Sequence, residues 1–376
     1  MLLLSGPNMG GNELKYVTEC IETGWVSSVG SYVDKFEKMS AEFAGTNYAV
    51  ATSSGTTALH ICLVLMDVKP GDFVIAPNIT FIATLNSIKY TGASPILIDT
   101  DVNSWQMDMD LLENFLKTET EQKNNTCYHK KTGRRIPLIM PVHVLGNIGD
   151  MDRLLSIAKE YNLTVIEDST EALGSYYKGK HSGSFGLMGT FSYNGNKIIT
   201  TGGGGMIVTN DEALAKKAKH LTTQAKSDPF EYMHDEIGYN YRLVNVAAAM
   251  GVAQMEQLPS FIQRKQEIIA FYKKELEGVG DIKFQQISAD VKPNWWLPTI
   301  FTEKQKAVLK ILNDNKMQSR PFWVPMNQLR MFKDDIYINN NDRSDFVYQH
   351  CLSIPCSTNI TDEQLKAVAD KIKEVF

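Results

Sequence analysis

The chain has 376 residues and a formal net charge of −5 at pH 7, with an isoelectric point near 5.9. That balance is wrong for a protein whose affinity rests on phosphate backbones, so nucleic acid is not an expected partner. With 43% hydrophobic, 10% aromatic and 22% charged residues, global disorder is excluded and a large domain plus a smaller one is expected.

The longest apolar runs, such as Ala58 to Met66, fall far short of the roughly 20 residues that cross a bilayer, and Met1 to Leu4 is too short for a signal-peptide core. The expected setting is the cytoplasm, with no membrane partner. Cys20, Cys62, Cys127, Cys351 and Cys356 are scattered, which predicts reduced thiols. The seven histidines show no metal-ligand spacing, and no metal is expected.

From residue 50 to 210 short β-branched runs alternate with helical stretches, the rhythm of parallel strands joined by crossover helices. In chain order the predicted strands are Tyr48 to Ala51, Asp72 to Ala76, Pro95 to Ile98, Leu138 to Val142, Thr164 to Glu167, Gly189 to Tyr193 and Met206 to Thr209. Several are continuous apolar runs, as strands covered on both faces require. Helical spacing marks Thr57 to Met66, with Ser54 or Thr56 as its cap, then Met151 to Tyr161 and Asp211 to Leu221. Between them, Lys117 to Arg135 carries six Lys and Arg against Glu119 and Glu121. It reads either as a solvated loop or as a basic arm near an anionic substrate. After about residue 255 an amphipathic segment from Leu258 to Leu276 leads into short mixed elements and a final helix from Asp362 to Val375. The domains are therefore expected at 1–255 and 256–376.

Three features carry chemistry. Ser53-Ser54-Gly55-Thr56-Thr57 joins a strand to a helix, so its N–H groups and hydroxyls face an anion at the helix N-terminus. Val165-Ile166-Glu167-Asp168 ends a buried strand in a carboxylate at the carboxyl edge of a parallel sheet, where such sheets bind ligands. Lys197 lies in a loop between Phe191-Ser192-Tyr193 and the run Gly202 to Gly205, and a lysine in a confined apolar loop has a lowered pKa and becomes nucleophilic. The glycines form neither the dinucleotide G-x-G-x-x-G pattern nor a P-loop, which excludes a nicotinamide-dependent epimerase or reductase. An anion hold, a partner for a protonated ring nitrogen and an aldehyde partner are together what pyridoxal 5'-phosphate requires.

In Ser54 to Leu59, Glu167-Asp168, Ser192 to Lys197 and Gly238 to Arg242, the chain resembles the DegT/StrS sugar aminotransferases over nearly its whole length. That resemblance implies an α/β fold of the aspartate-aminotransferase type (fold type I), a large mostly parallel sheet domain plus a smaller C-terminal α/β domain. More narrowly, Gly6 to Glu13, Ala172 to Tyr177 and Asn194 to Thr201 resemble the branch that aminates C4 of UDP-4-keto-6-deoxy-N-acetylglucosamine, for bacillosamine and legionaminic acid synthesis.

The resemblance implies Lys197 as the cofactor-bearing lysine and proton shuttle, Asp168 on the pyridine nitrogen, and Gly55, Thr56 and Ser192 on the phosphate. It implies Phe81 stacked on the ring, Glu171 facing the phenolic oxygen where Gln is usual, and Asn240 reaching the phosphate of a second subunit, so that a homodimer shares its sites. Asn327 stands where His is frequent, and Trp323 and Asn327 read equally as sugar contacts or as packing. The implied reaction moves the amino group of glutamate to a nucleotide-linked keto sugar and releases 2-oxoglutarate, with ping-pong kinetics. The alternatives are another nucleotide-linked keto sugar such as GDP-4-keto-6-deoxymannose, a pyridoxamine-dependent sugar dehydratase, which usually carries His at the lysine position, and a non-catalytic regulator of the same fold.

Overall fold

Apolar runs bounded by turns become the strands of one eight-stranded sheet in this computed structural model, which describes residues 1–228 and 230–376. They are β1 (Tyr48–Thr52), β2 (Phe73–Pro77), β3 (Ser94–Ile98), β4 (Leu138–Ile139), β5 (Thr164–Asp168), β6 (Met188–Ser192), β7 (Gly205–Thr209) and β8 (Ile336–Ile338). Their order across the sheet is β1-β7-β6-β5-β4-β2-β3-β8. All five residues of β2 and of β7 are buried, as expected where helices cover both faces. Neighbouring strands from β6 to β8 run parallel.

The sheet is mostly parallel, as expected; β7 is its antiparallel member, running against both β1 and β6. Residues 193–204 contain no crossover helix, and a strand joined to its neighbour without one can only turn back. β8 is also unannounced by the pattern: a three-residue strand from the C-terminal third adds to the far edge beside β3.

Of the helices, α1 (Gly55–Leu65) starts from a complete capping box in which Ser54 and Thr57 satisfy each other's backbone N–H, as the sequence expectation of a Ser54 cap requires. α2 (Ala83–Tyr90) follows β2, α3 (Met151–Glu160) precedes β5, and α4 (Glu212–Thr222) follows β7. α5 (Asn245–Leu276) is a single helix of 32 residues that runs through the division expected at 255. Beyond it, Lys283–Phe284, Thr299–Phe301, Cys351–Ser353 and Arg320–Pro321 pair antiparallel in a second sheet. Leu276, Ile300, Val308, Leu312, Leu352 and Leu365 fill one core between this sheet and its helices.

The basic stretch from 117 to 135 folds into a small sheet of its own. Arg134 stacks 3.6 Å from the Phe73 ring centroid and Arg135 pairs with Asp72. Both contacts lie at the amino end of β2, away from the carboxyl edge, so the basic-arm reading is corrected: these cations brace an edge of the fold. All five cysteines are free and buried. Among the described residues no helix is long and apolar enough to cross a membrane.

Candidate active site

The carboxyl ends of β1, β5 and β6 open onto one cavity of about 400 Å³, a size suited to a cofactor with substrate. Gly205 brings two of these ends together, pairing with Thr52 of β1 on one side and Ser192 of β6 on the other. A Cβ there would lie 2.3 Å from the Ser54 carbonyl oxygen, so only glycine allows the approach. Ser54, Gly55, Thr56 and Ser192 all line the cavity, around the N-terminus of α1. A Cβ on Gly55 would meet Ser192 Cβ at 2.8 Å and Thr170 Cγ2 at 3.1 Å. The cradle therefore keeps open the space an anion needs at the positive end of a helix.

Asp168 closes β5, 2% exposed. Thr84 Oγ1 donates to its Oδ2 at 2.6 Å and the Thr170 N–H to its Oδ1 at 3.1 Å, while Thr80 Oγ1 sits 2.8 Å from Thr84 Oγ1. The carboxylate is locked in place from two sides. Its neighbour Glu167 points the other way along the pleat and is consumed structurally. It accepts N–H bonds from Gly183, Phe185 and Gly186, and its Oε2 is 2.9 Å from His143 Nε2. Burial would raise this carboxyl, but these bonds outweigh it and hold the group below its ordinary value.

Lys197 Nζ lies 3.8 Å from Glu171 Oε1 and 3.7 Å from the centroid of the Trp296 ring. The Trp296 indole N–H donates to the Asn196 carbonyl at 2.7 Å, pinning the loop one residue before the lysine. Burial pulls the Lys197 ammonium below its ordinary pKa, against the charges of Glu171 and Asp168. Burial pushes Glu171 up to about 7, against the charge of Lys197 and an N–H bond from Leu145. That bond reaches Oε2 at 2.8 Å, from a residue held at φ +59°. Glu171 Oε1 is buried without a hydrogen-bond partner, and such an atom calls for a ligand. An anion cradle, a locked carboxylate, a lysine of lowered basicity and an orphaned oxygen together fit a phosphorylated heterocycle bearing a basic ring nitrogen, an aldehyde and a ring hydroxyl.

Phe81, half exposed, lines the same cavity. Trp323 lines it as well, stacked at 20° and 6.5 Å on Trp296. Asn327 does not: it exchanges two hydrogen bonds of 2.9 Å with the fully buried Asn78, which makes it packing. Asn240 is exposed and absent from the lining of its own cavity. Sequence reasoning missed Thr84, Trp296, Leu145 and Thr170. Thr80 and Thr84, one helical turn apart just beyond a buried strand, were the available signal for the first. Thr170, two residues past Asp168, was equally local, whereas Trp296 and Leu145 come from distant segments and left none.

Residues 7–373 match the model of the DegT/DnrJ/EryC1/StrS aminotransferase family. The chain belongs to that family. Relatives include a GDP-perosamine synthase of Escherichia coli O157:H7, 38% identical over 98% of this chain and 97% of its own length. Another is the putative pyridoxal phosphate-dependent aminotransferase EpsN of Bacillus subtilis, 35% identical over 100% and 96%. Among solved structures, DesV of S. venezuelae in complex with a ketimine intermediate superposes with a TM-score of 0.87 at 26% identity, over 97% of this chain and 94% of that one. The chain is thus a sugar aminotransferase of this family with the fold type I architecture, and pyridoxal phosphate is its cofactor. The narrower likeness to the UDP-bacillosamine branch is not what these relatives display, since the E. coli protein and others from Caulobacter vibrioides and Vibrio cholerae are GDP-perosamine synthases.

Proposed function

We propose that the chain transfers the amino group of glutamate to C4 of a nucleotide-linked 4-keto-6-deoxyhexose in the cytoplasm. The observation that carries this reading is one cavity lined by Lys197 and the capped N-terminus of α1, with the doubly held Asp168 buried two residues before Thr170, which also lines it. In it, Gly55, Thr56 and Ser192 hold the cofactor phosphate, Asp168 keeps the ring nitrogen protonated, and Phe81 covers the ring. When bound, pyridoxal phosphate supplies the aldehyde that carries nitrogen from one substrate to the other and the ring that withdraws electrons. Lys197 Nζ, its pKa lowered by burial, holds that aldehyde at rest, takes the proton from Cα of glutamate and returns one to C4 of the sugar. Glu171 presents its orphaned Oε1 to the ring hydroxyl.

GDP-4-keto-6-deoxymannose is the first acceptor to test, because three relatives are named for GDP-perosamine. UDP-4-keto-6-deoxy-N-acetylhexosamine is the second, on the motifs at Ala172 to Tyr177 and Asn194 to Thr201. Asn240 completes the phosphate site of a second copy. Its exposure supports this, as do Phe230 and Ile237 on the same segment, 88% and 84% exposed. The protein is incubated with glutamate and each keto sugar, and 2-oxoglutarate and the product mass are measured. Formation of an amino sugar from one of them is the expected result; no transfer to any 4-keto sugar defeats the reading.

A further inference from the structure

Among the described residues, Lys197 and Arg320 are the two cations that line the cavity, and no carboxylate lines it. Arg320 stands on the short strand Arg320–Pro321, whose register partner Ser353 also faces the cavity. Among the described residues its guanidinium makes one hydrogen bond, from Nη1 to the Ser319 carbonyl at 3.1 Å, and has no carboxylate partner. Arg135, Arg153, Arg264 and Arg343 are each matched to an acid, and among the described arginines that are not, Arg320 alone lines the cavity. An exposed arginine beside Phe322, Trp323 and Trp296 thus keeps nearly all of its donors available at the mouth of an aromatic-walled pocket.

On the amino-transfer reading above, two different substrates enter this one cavity in turn. Glutamate carries a second carboxylate several bonds from the carbon that reacts, and the nucleotide sugar carries a diphosphate several bonds from C4. Lys197 is committed to the reacting carbon in both halves. We propose that Arg320 is the shared anchor that receives the distal carboxylate of glutamate in one half-reaction and the diphosphate of the nucleotide sugar in the other. A planar fork of N–H donors suits both oxyanions, and the neighbouring rings reduce competition from water.

The test uses equilibrium binding to the holoenzyme, with glutarate standing for the dicarboxylate and GDP or UDP for the nucleotide. In the wild type the two ligand classes should exclude each other. Arg320→Gln should weaken each by about tenfold or more, the loss of a charge-assisted bond, and Arg320→Lys should recover part of both. Selectivity for glutamate over norvaline, its analogue without the distal carboxylate, should fall toward unity in the Gln variant. A folded Gln variant that loses only one ligand class, or a wild type that binds glutarate and nucleotide together, overturns the shared anchor while leaving amino transfer intact. A wild type that binds neither class and aminates no keto sugar overturns the amino-transfer reading, and this inference with it.

Discussion

Lys197 and Glu171 face each other at 3.8 Å in a site where burial penalises both charges. The lysine is expected to be the point of covalent attachment: borohydride should fix the chromophore of the purified protein to Lys197, and peptide mass spectrometry reads the position. Modification elsewhere would remove Lys197 from its role. Asp168→Asn barely changes volume and keeps an acceptor for Thr84, so the fold should survive while turnover drops on the order of 100-fold. Near-normal turnover would release Asp168 from the ring nitrogen. For Glu171, a pKa of about 7 against an ordinary 4.5 means that the folded chain holds a proton the unfolded chain has lost across that window. Stability therefore falls as pH rises from about 4.5 to 7, by up to roughly 3 kcal/mol. Glu171→Gln cannot titrate, so urea unfolding of the cofactor-free proteins at pH 5 and pH 8 should show the wild type losing stability relative to the variant. Parallel behaviour of the two would mean that Glu171 is ionised throughout.

At the scale of elements, the site depends on how closely a helix start and two strand ends approach. Gly55→Ala would push a methyl against Ser192 Cβ at 2.8 Å, a small-to-large change costing about 1–3 kcal/mol and narrowing the phosphate cradle. The expected outcome is a lower melting temperature together with weaker cofactor retention on dialysis. Adding Ser192→Gly removes the atom it strikes and should recover stability more than retention, because a hydroxyl that lines the cavity is lost with it. Equal recovery of both would show that the hydroxyl does not touch the phosphate. Ser54, Gly55 and Thr56 were legible before folding because they belong to a strand-to-helix junction whose hydrogen bonds are local, whereas Ser192 entered only through the family resemblance. The partners of Thr84 and Trp296 were not legible, since each acts on a residue far along the chain, 84 and 100 positions away.

The whole molecule leaves Asn240 outside its own cavity, on a segment where Phe230, Tyr232, Met233 and Ile237 are exposed. If that segment completes the site of a second copy, two inactive chains should restore each other. Lys197→Ala lacks the reacting amine but keeps Asn240, and Asn240→Asp keeps the amine but places a carboxylate beside its partner's phosphate. In a mixed dimer one site inherits both defects and the other is intact. Co-refolding the two variants should produce activity well above either parent; no gain despite mixed dimers detected by mass would defeat the shared site.

The sequence by itself determined the alternation of strands and helices, the capped start of α1, the acid at the end of β5 and the lysine in the loop after β6. All of these rest on neighbours within a few residues, where side-chain period and capping chemistry are written directly in the chain. Only the tertiary structure decided that β7 runs backward, that Ile336–Ile338 joins the large sheet, and that the basic stretch braces the amino end of β2. It alone decided that Asn327 belongs to Asn78, that Trp296 lies against Lys197, and that Arg320 stands at the cavity mouth. Each of those is a contact between segments far apart in the chain. Burial and partner choice there depend on how the whole core closes, which no local period encodes.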